Sequence, residues 1–253
     1  MIEKIYTIPV NEAYEKECVC PLCVLKDKAE NDYLDYYLGP SLMEPDNRVE
    51  TNKSGFCPEH MGKLNRKETA RLGLGLMLHT HLKDMNDDLT KQIRNAIPAK
   101  AGLIKGRSGE YKTAFNKIAD KIEGRVKTCP ICDKTNYTMD RYLEVIMYLF
   151  SKDSDFRANF SNNKVHCLPH TALLFRAAAS HLSQNDAADL ATAIAGNTER
   201  SFAELIADVE WFTLKFDYRN ADKPWGNSKN AIQRSMRFLS ADRSDFDETN
   251  SKK

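Results

Sequence analysis

Apolar positions recur at intervals of three and four along most of this chain. In "TNYTMDRYLEVIMYLF" Tyr142, Val145, Ile146 and Leu149 fall on one face of a helix. "VLKDKAENDYLDYYL" reads the same way and stops at Gly39-Pro40, a helix-ending pair. After His60 a long segment spaces Leu72, Leu76, Leu82, Met85 and Leu89 helically. After His170 a short helix, "TALLFRAAASHL", is followed by "DAADLATAIAGNTERSFAELIADVEWFTLKF", with an interruption expected at Gly196-Asn197. No segment alternates as a strand does. The tail breaks at Pro224-Trp225-Gly226, adds one more helix, and is expected to fray from about Asp242. The predicted class is all-α.

The pattern also repeats. "CPLC" (Cys20, Cys23) is followed by "FCPEH" (Cys57, His60), and "CPIC" (Cys129, Cys132) by "HCLPH" (Cys167, His170). Each pair of motifs is C-x2-C, then 33 or 34 residues, then C-x2-H. Each C-x2-H follows an Asn-Lys pair, Asn52-Lys53 and Asn163-Lys164, and each gap holds an aromatic-rich segment, so each unit reads as C-x2-C knuckle, helix, loop, C-x2-H and helix. This is an internal duplication. The predicted architecture is two pseudo-repeated helical units, each stapled by a Cys3His metal site, plus a C-terminal helix. The units are expected at 1–95 and 110–219, with a Gly/Pro-bearing linker at 96–109 and the C-terminal helix and tail at 220–253. The whole can also close as one compact domain.

The chain has 253 residues, 42% of them hydrophobic, with 11 Gly and 9 Pro. That length buries a core, and sparse turn residues favour helices. No run of 18 apolar residues is present, so no membrane span is expected. The first residues, "MIEKIYTIPVNEAYEKE", carry acids where a signal peptide needs a basic and then apolar stretch. We expect a cytoplasmic protein. Seven cysteines are an odd number for a disulfide framework, a reducing compartment would oppose one, and clustered Cys in a cytosolic protein points to metal binding or catalysis. Net charge is +1 but uneven: residues 1–62 carry 6 Lys/Arg against 12 Asp/Glu, and residues 63–134 carry 16 against 8. An acidic segment docked on a basic one explains this, and a basic face for nucleic acid is the lesser alternative.

Two intervening residues let both sulfurs of C-x2-C face one point, and three Cys with one His is a closed tetrahedral zinc set. We therefore expect two Zn2+ per chain, on Cys20, Cys23, Cys57 and His60 and on Cys129, Cys132, Cys167 and His170. An iron–sulfur cluster is the rival reading of the same thiolates. A thioredoxin-like redox pair lacks its βαβ setting here. Cys18 is left over as a spare thiol, with ligand exchange as its sharper reading. His166 is expected to pack beside the second set or to contact one of its ligands. His181 carries no specific role. His79 and His81 point to different helix faces, and His81 with Asp84 and Asp88 is more plainly a solvated face than a carboxylate metal site.

The stretches "CPLCVLKDKAENDYLDYYLGPSLMEPDNRVETNKSGFCPEHMGKL" and "WFTLKFDYRNADKPWGNSKNAI" resemble an uncharacterised family common in clostridia and related anaerobes. Its members often carry the label ABC transporter substrate-binding protein. The chain shows no lipoprotein cysteine and no α/β pattern to match that label. The resemblance implies a bacterial cytoplasmic protein and supplies no activity.

No G-x-S-x-G, P-loop, H-E-x-x-H or dinucleotide fingerprint occurs, so no catalytic residue is assigned. The leading expectation is a zinc-stapled helical adaptor or binding protein for a small molecule or protein. An enzyme with a site in a groove between the repeats, and a nucleic-acid-binding or redox- or metal-sensing regulator, are the alternatives. "MEPDNR" and "DYRNADKPW" mix charges, aromatics and turn residues. They nominate Glu44, Arg48, Asp217, Arg219 and Trp225 as candidate ligand contacts, against a plainer role in loop capping and ion pairing.

Overall fold

The computed structural model describes residues 4–18, 20–67, 70–98 and 110–241. Among these residues it is all-α, with eleven α-helices and no strand. They are α1 (Lys4–Glu15), α2 (Pro21–Leu38), α3 (Pro45–Ser54), α4 (Pro58–Arg66), α5 (Arg71–Asn95) and α6 (Glu110–Lys127). α7 (Pro130–Lys152), α8 (Ser154–Asn163), α9 (Leu168–His181), α10 (Gln184–Leu214) and α11 (Ala231–Ser240) complete the set. Most of the expected linker, residues 99–109, and the expected frayed tail from Asp242 lie outside the described residues.

The chain groups into two compact units. Unit 1 joins Met1–Lys28 to Thr138–Lys253, and unit 2 is Ala29–Tyr137. Both boundaries fall inside helices, in α2 and in α7. Each unit therefore draws on both halves of the sequence repeat.

In unit 2, Leu34, Tyr37, Phe56, Leu64, Leu74, Met77, Cys129 and Ile131 form the core. α3 is held to α5 by Arg48, which donates to the Leu76 carbonyl at 3.0 Å and to Thr80 Oγ1 at 2.7 Å. Gly55 ends α3 at φ 66, and a Cβ there would stand 2.6 Å from His81 Nε2. Glycine is needed at that close approach in the left-handed region. His81 Nδ1 bonds the Asn52 carbonyl at 2.7 Å, and Asp88 pairs with Lys121 at 2.6 Å. Both side chains are spent on packing and ion pairing, not on a shared metal.

In unit 1, Tyr14 of α1 stacks on Phe160 of α8 with centroids 5.8 Å apart and lies 4.8 Å from Phe156. α1 was not legible in the sequence, because Pro9 sits inside it. Proline removes a helical hydrogen bond at a cost of about 3 kcal/mol. Burial of Val10, Ala13 and Tyr14 offsets that cost.

Three further differences from the sequence reading have physical causes. The single helix expected after His60 is two, α4 and α5. The segments leading into each C-x2-H, expected as loops, hold helices α3 and α8. α10 runs unbroken through Gly196-Asn197. Asn197 is buried, and its Nδ2 donates to the carbonyls of Phe160 at 3.2 Å and Lys164 at 3.0 Å. Those tertiary bonds outweigh the roughly 1 kcal/mol that glycine costs a helix.

Candidate metal centres

All four ligand motifs stand at helix starts. Cys20 and Cys129 immediately precede α2 and α7, and Cys57 and Cys167 are the N-cap residues of α4 and α9. Proline follows at the first or second helical position, where its missing N–H costs nothing. Each leading cysteine's carbonyl accepts the first helical bond, from Val24, Met61, Asp133 and Thr171 at 2.8–3.3 Å. The second ligand then falls in the first turn, on the same side as the first. A helix N-terminus also favours negative charge, so each motif supplies a setting that stabilises thiolate.

The eight expected ligands are gathered in two groups, but not in the expected pairing. Cys20 and Cys23 meet Cys167 and His170, while Cys57 and His60 meet Cys129 and Cys132. Each C-x2-C closes on the C-x2-H of the other repeat. The first group lies in unit 1, between the starts of α2 and α9, and the second in unit 2, between the starts of α4 and α7. The physical reason is the helix that follows each C-x2-C. α2 has 18 residues and α7 has 23, lengths of about 27 and 35 Å. These rigid rods carry the chain away before it reaches its own C-x2-H.

Within each group the donor atoms lie within 4.8 Å of one another. In unit 1, His170 Nδ1 is 3.5, 3.4 and 3.1 Å from the sulfurs of Cys20, Cys23 and Cys167. In unit 2, His60 Nδ1 is 3.2, 3.4 and 3.3 Å from those of Cys57, Cys129 and Cys132. Cys23 and Cys167, and Cys57 and Cys132, have Sγ atoms 3.7 Å apart. A disulfide needs about 2.05 Å, and all seven cysteines are free. A tetrahedral ion with metal–sulfur bonds of about 2.3 Å has sulfur–sulfur edges of about 3.8 Å. Both Cys3His clusters therefore have the dimensions to hold a metal ion.

The electrostatics agree. Hydrogen bonds from Cys20 and Cys23 pull the Cys167 thiol down, while its bonds to Cys167 and Cys20 push Cys23 far up. Burial pushes Cys132 up, reinforced by the charge of Cys129. Burial pushes Cys129 up, but the His60 bond together with bonds from the backbone at Cys57 and Cys132 outweighs it and lowers the thiol to about 7. Sulfurs this crowded ionise one at the expense of another until a cation joins them.

The surroundings of the two histidines differ. His60 Nε2 donates to Glu30 Oε1 at 2.7 Å, and Glu30 accepts from Lys63 at 2.6 Å. Burial would raise the Glu30 carboxyl, but these two donors outweigh it and hold it down at about 2. Glu30 was missed in the sequence, and only its place on α2 could have suggested it. His166 is buried and bonds Tyr14 OH through Nε2 at 3.0 Å, the expected packing role. Burial holds its ring neutral, down to about 4. Cys18 is half-buried, its thiol 3.8 Å from the Ala13 carbonyl.

The other nominated residues have local partners. Glu44 is the N-cap residue of α3, and its carbonyl accepts from the Arg48 amide at 3.0 Å. Asp217 pairs with Arg219 at 2.5 Å and caps a short 3-10 turn. Trp225 packs on Phe212 with centroids 5.8 Å apart, under Lys215 at 5.1 Å. Glu44 and Arg48 belong to unit 2, the other three to unit 1.

The fold and its clusters define a class: an all-helical chain with two Cys3His groups built from interlaced repeats. The chain belongs to the family of unknown function DUF6062, whose model matches residues 1–246. It is also 22% identical over 205 residues to an uncharacterized 23.9 kDa protein in the xynA 3' region of Caldicellulosiruptor sp. (strain Rt8B.4). That match covers 81% of this chain and 86% of the relative. No solved structure matches the chain. No helix among the described residues is long and apolar enough to cross a membrane.

Proposed function

We propose that the protein is a cytoplasmic helical adaptor or binding protein whose two Cys3His clusters each hold a structural Zn2+. One observation carries this reading: each cluster brings four donors from two distant segments to tetrahedral spacing. Four protein ligands fill zinc's usual coordination, leaving no open position for water or substrate. That supports a staple over a catalytic metal. The spacing also supports zinc over a multi-iron cluster. In such a cluster each iron carries its own thiolate, so the cysteines stand further apart than one ion requires. Contacts to a partner then fall to the surface, where Glu44, Arg48, Asp217, Arg219 and Trp225 remain our nominees.

The test is elemental mass spectrometry with a visible spectrum, on protein purified without a nickel column. The expected result is two zinc per chain and no colour. Iron with a brown chromophore would overturn the reading.

A further inference from the structure

Resting on that zinc reading, we propose that the two sites are unequal. The unit 2 zinc is locked, and the unit 1 zinc is exchangeable through a cavity in which Cys18 is the incoming ligand. Ligand exposure does not separate the sites, since Cys23, Cys57 and Cys132 are all half-buried. Their surroundings do.

In unit 2 the metal-facing nitrogen of His60 is Nδ1, so the ring proton sits on Nε2 and points at Glu30 at 2.7 Å. Lys63 bonds that same carboxylate at 2.6 Å and Glu59 at 2.7 Å. The chain from Glu59 through Lys63 and Glu30 fixes the ring's angle and makes Nδ1 a better donor. Partners of this kind are worth about 10–100-fold in metal affinity. His170 has no such carboxylate: its only hydrogen-bonding contacts among the described residues are the three cluster sulfurs, through Nδ1.

Unit 1 has instead a cavity of about 270 Å³ beside the cluster. Cys18, Cys20, Cys23 and Cys167 line it, with Arg237 of α11 on its wall. Three of these sulfurs belong to the metal set and the fourth is spare. Zinc can expand from four to five ligands in a transition state. A thiol already in the cavity can therefore bind before another leaves. As Cys18 sulfur joins the zinc it releases its proton, and the displaced cysteine thiolate takes one up. Charge and coordination number are conserved, and no oxidant is needed. A small chelating or thiol acceptor that fits the cavity can repeat the step, binding the zinc as a further cysteine thiolate leaves and takes up a proton.

The experiment uses the full chain loaded with two zinc, confirmed by elemental analysis. Excess chromogenic chelator, 4-(2-pyridylazo)resorcinol, is added and release is followed by absorbance. Two phases of one zinc each are expected, at least tenfold apart in rate. Maleimide labelling quenched after the first phase, with peptide mass mapping, should mark Cys20, Cys23 and Cys167 and spare Cys57, Cys129 and Cys132. Cys18→Ser should slow the first phase at least fivefold and leave the second unchanged. Glu30→Gln should speed the second at least tenfold. A single phase of two zinc, or first-phase labels on Cys57 and Cys129, would overturn the proposal while leaving the zinc reading intact. Fewer than two zinc at the outset would instead overturn that reading. The labelling map needs no variant, so it decides even if Glu30→Gln folds poorly.

Discussion

Cys20 and Cys23 complete a tetrahedron only when Cys167 and His170 come to meet them. The double substitution Cys18→Ser, Cys20→Ser, which also removes the spare thiol of the cavity, should therefore lower zinc from two per chain to about one. Maleimide should then label Cys23 and Cys167, while Cys57, Cys129 and Cys132 stay protected. Labelling of Cys57 together with Cys23 would mean that each repeat keeps its own metal. The eight clustered residues were legible as candidate ligands because C-x2-C and C-x2-H at matched spacing leave few other readings. Their pairing was not, because equal gaps fit contiguous and interlaced sets alike. Glu30 was hidden for a related reason: a carboxylate on a helix becomes a histidine's partner only once the fold brings His60 to it.

At the scale of the element, α10 tests how packing overrides local preference. Asn197→Ala would leave the Phe160 and Lys164 carbonyls without their donor. Unpaired buried groups cost about 1–3 kcal/mol each, so urea unfolding should show a loss of about 2–6 kcal/mol. An unchanged midpoint would mean that the pair does not hold the helix through Gly196. Gly196→Ala should raise stability by about 0.5–1 kcal/mol, since a Cβ there meets nothing within 4 Å. A loss would show that the site is tighter than its geometry. Helices α2, α7 and α9 were legible from apolar periodicity. α1 and the continuity of α10 were not, because proline and Gly-Asn are local stop signals. The opposing forces, Tyr14 against Phe160 and Asn197 against α8, are tertiary.

Across the whole molecule the repeat is interlaced, so unit 1 closes only after both halves of the chain exist. The sequence marked the duplication, but linear spacing carried no sign that α2 and α7 would cross the unit boundaries. The two clusters, and on our proposal the metals they hold, are then long-range fasteners, joining residues 144 and 75 positions apart, as between Cys23 and Cys167 and between Cys57 and Cys132. Structural zinc in small peptides contributes about 10–16 kcal/mol, comparable with the whole stability of a domain at about 5–15 kcal/mol. A strong chelator should therefore lower the melting temperature by tens of degrees, read by circular dichroism at 222 nm. The most direct measurement is a crystal structure with diffraction recorded on both sides of the zinc absorption edge. We predict two anomalous peaks per chain, one among Cys20, Cys23, Cys167 and His170 and one among Cys57, His60, Cys129 and Cys132. No peak at these positions, or one shared by Cys20, Cys23, Cys57 and His60, would contradict the interlaced zinc staples.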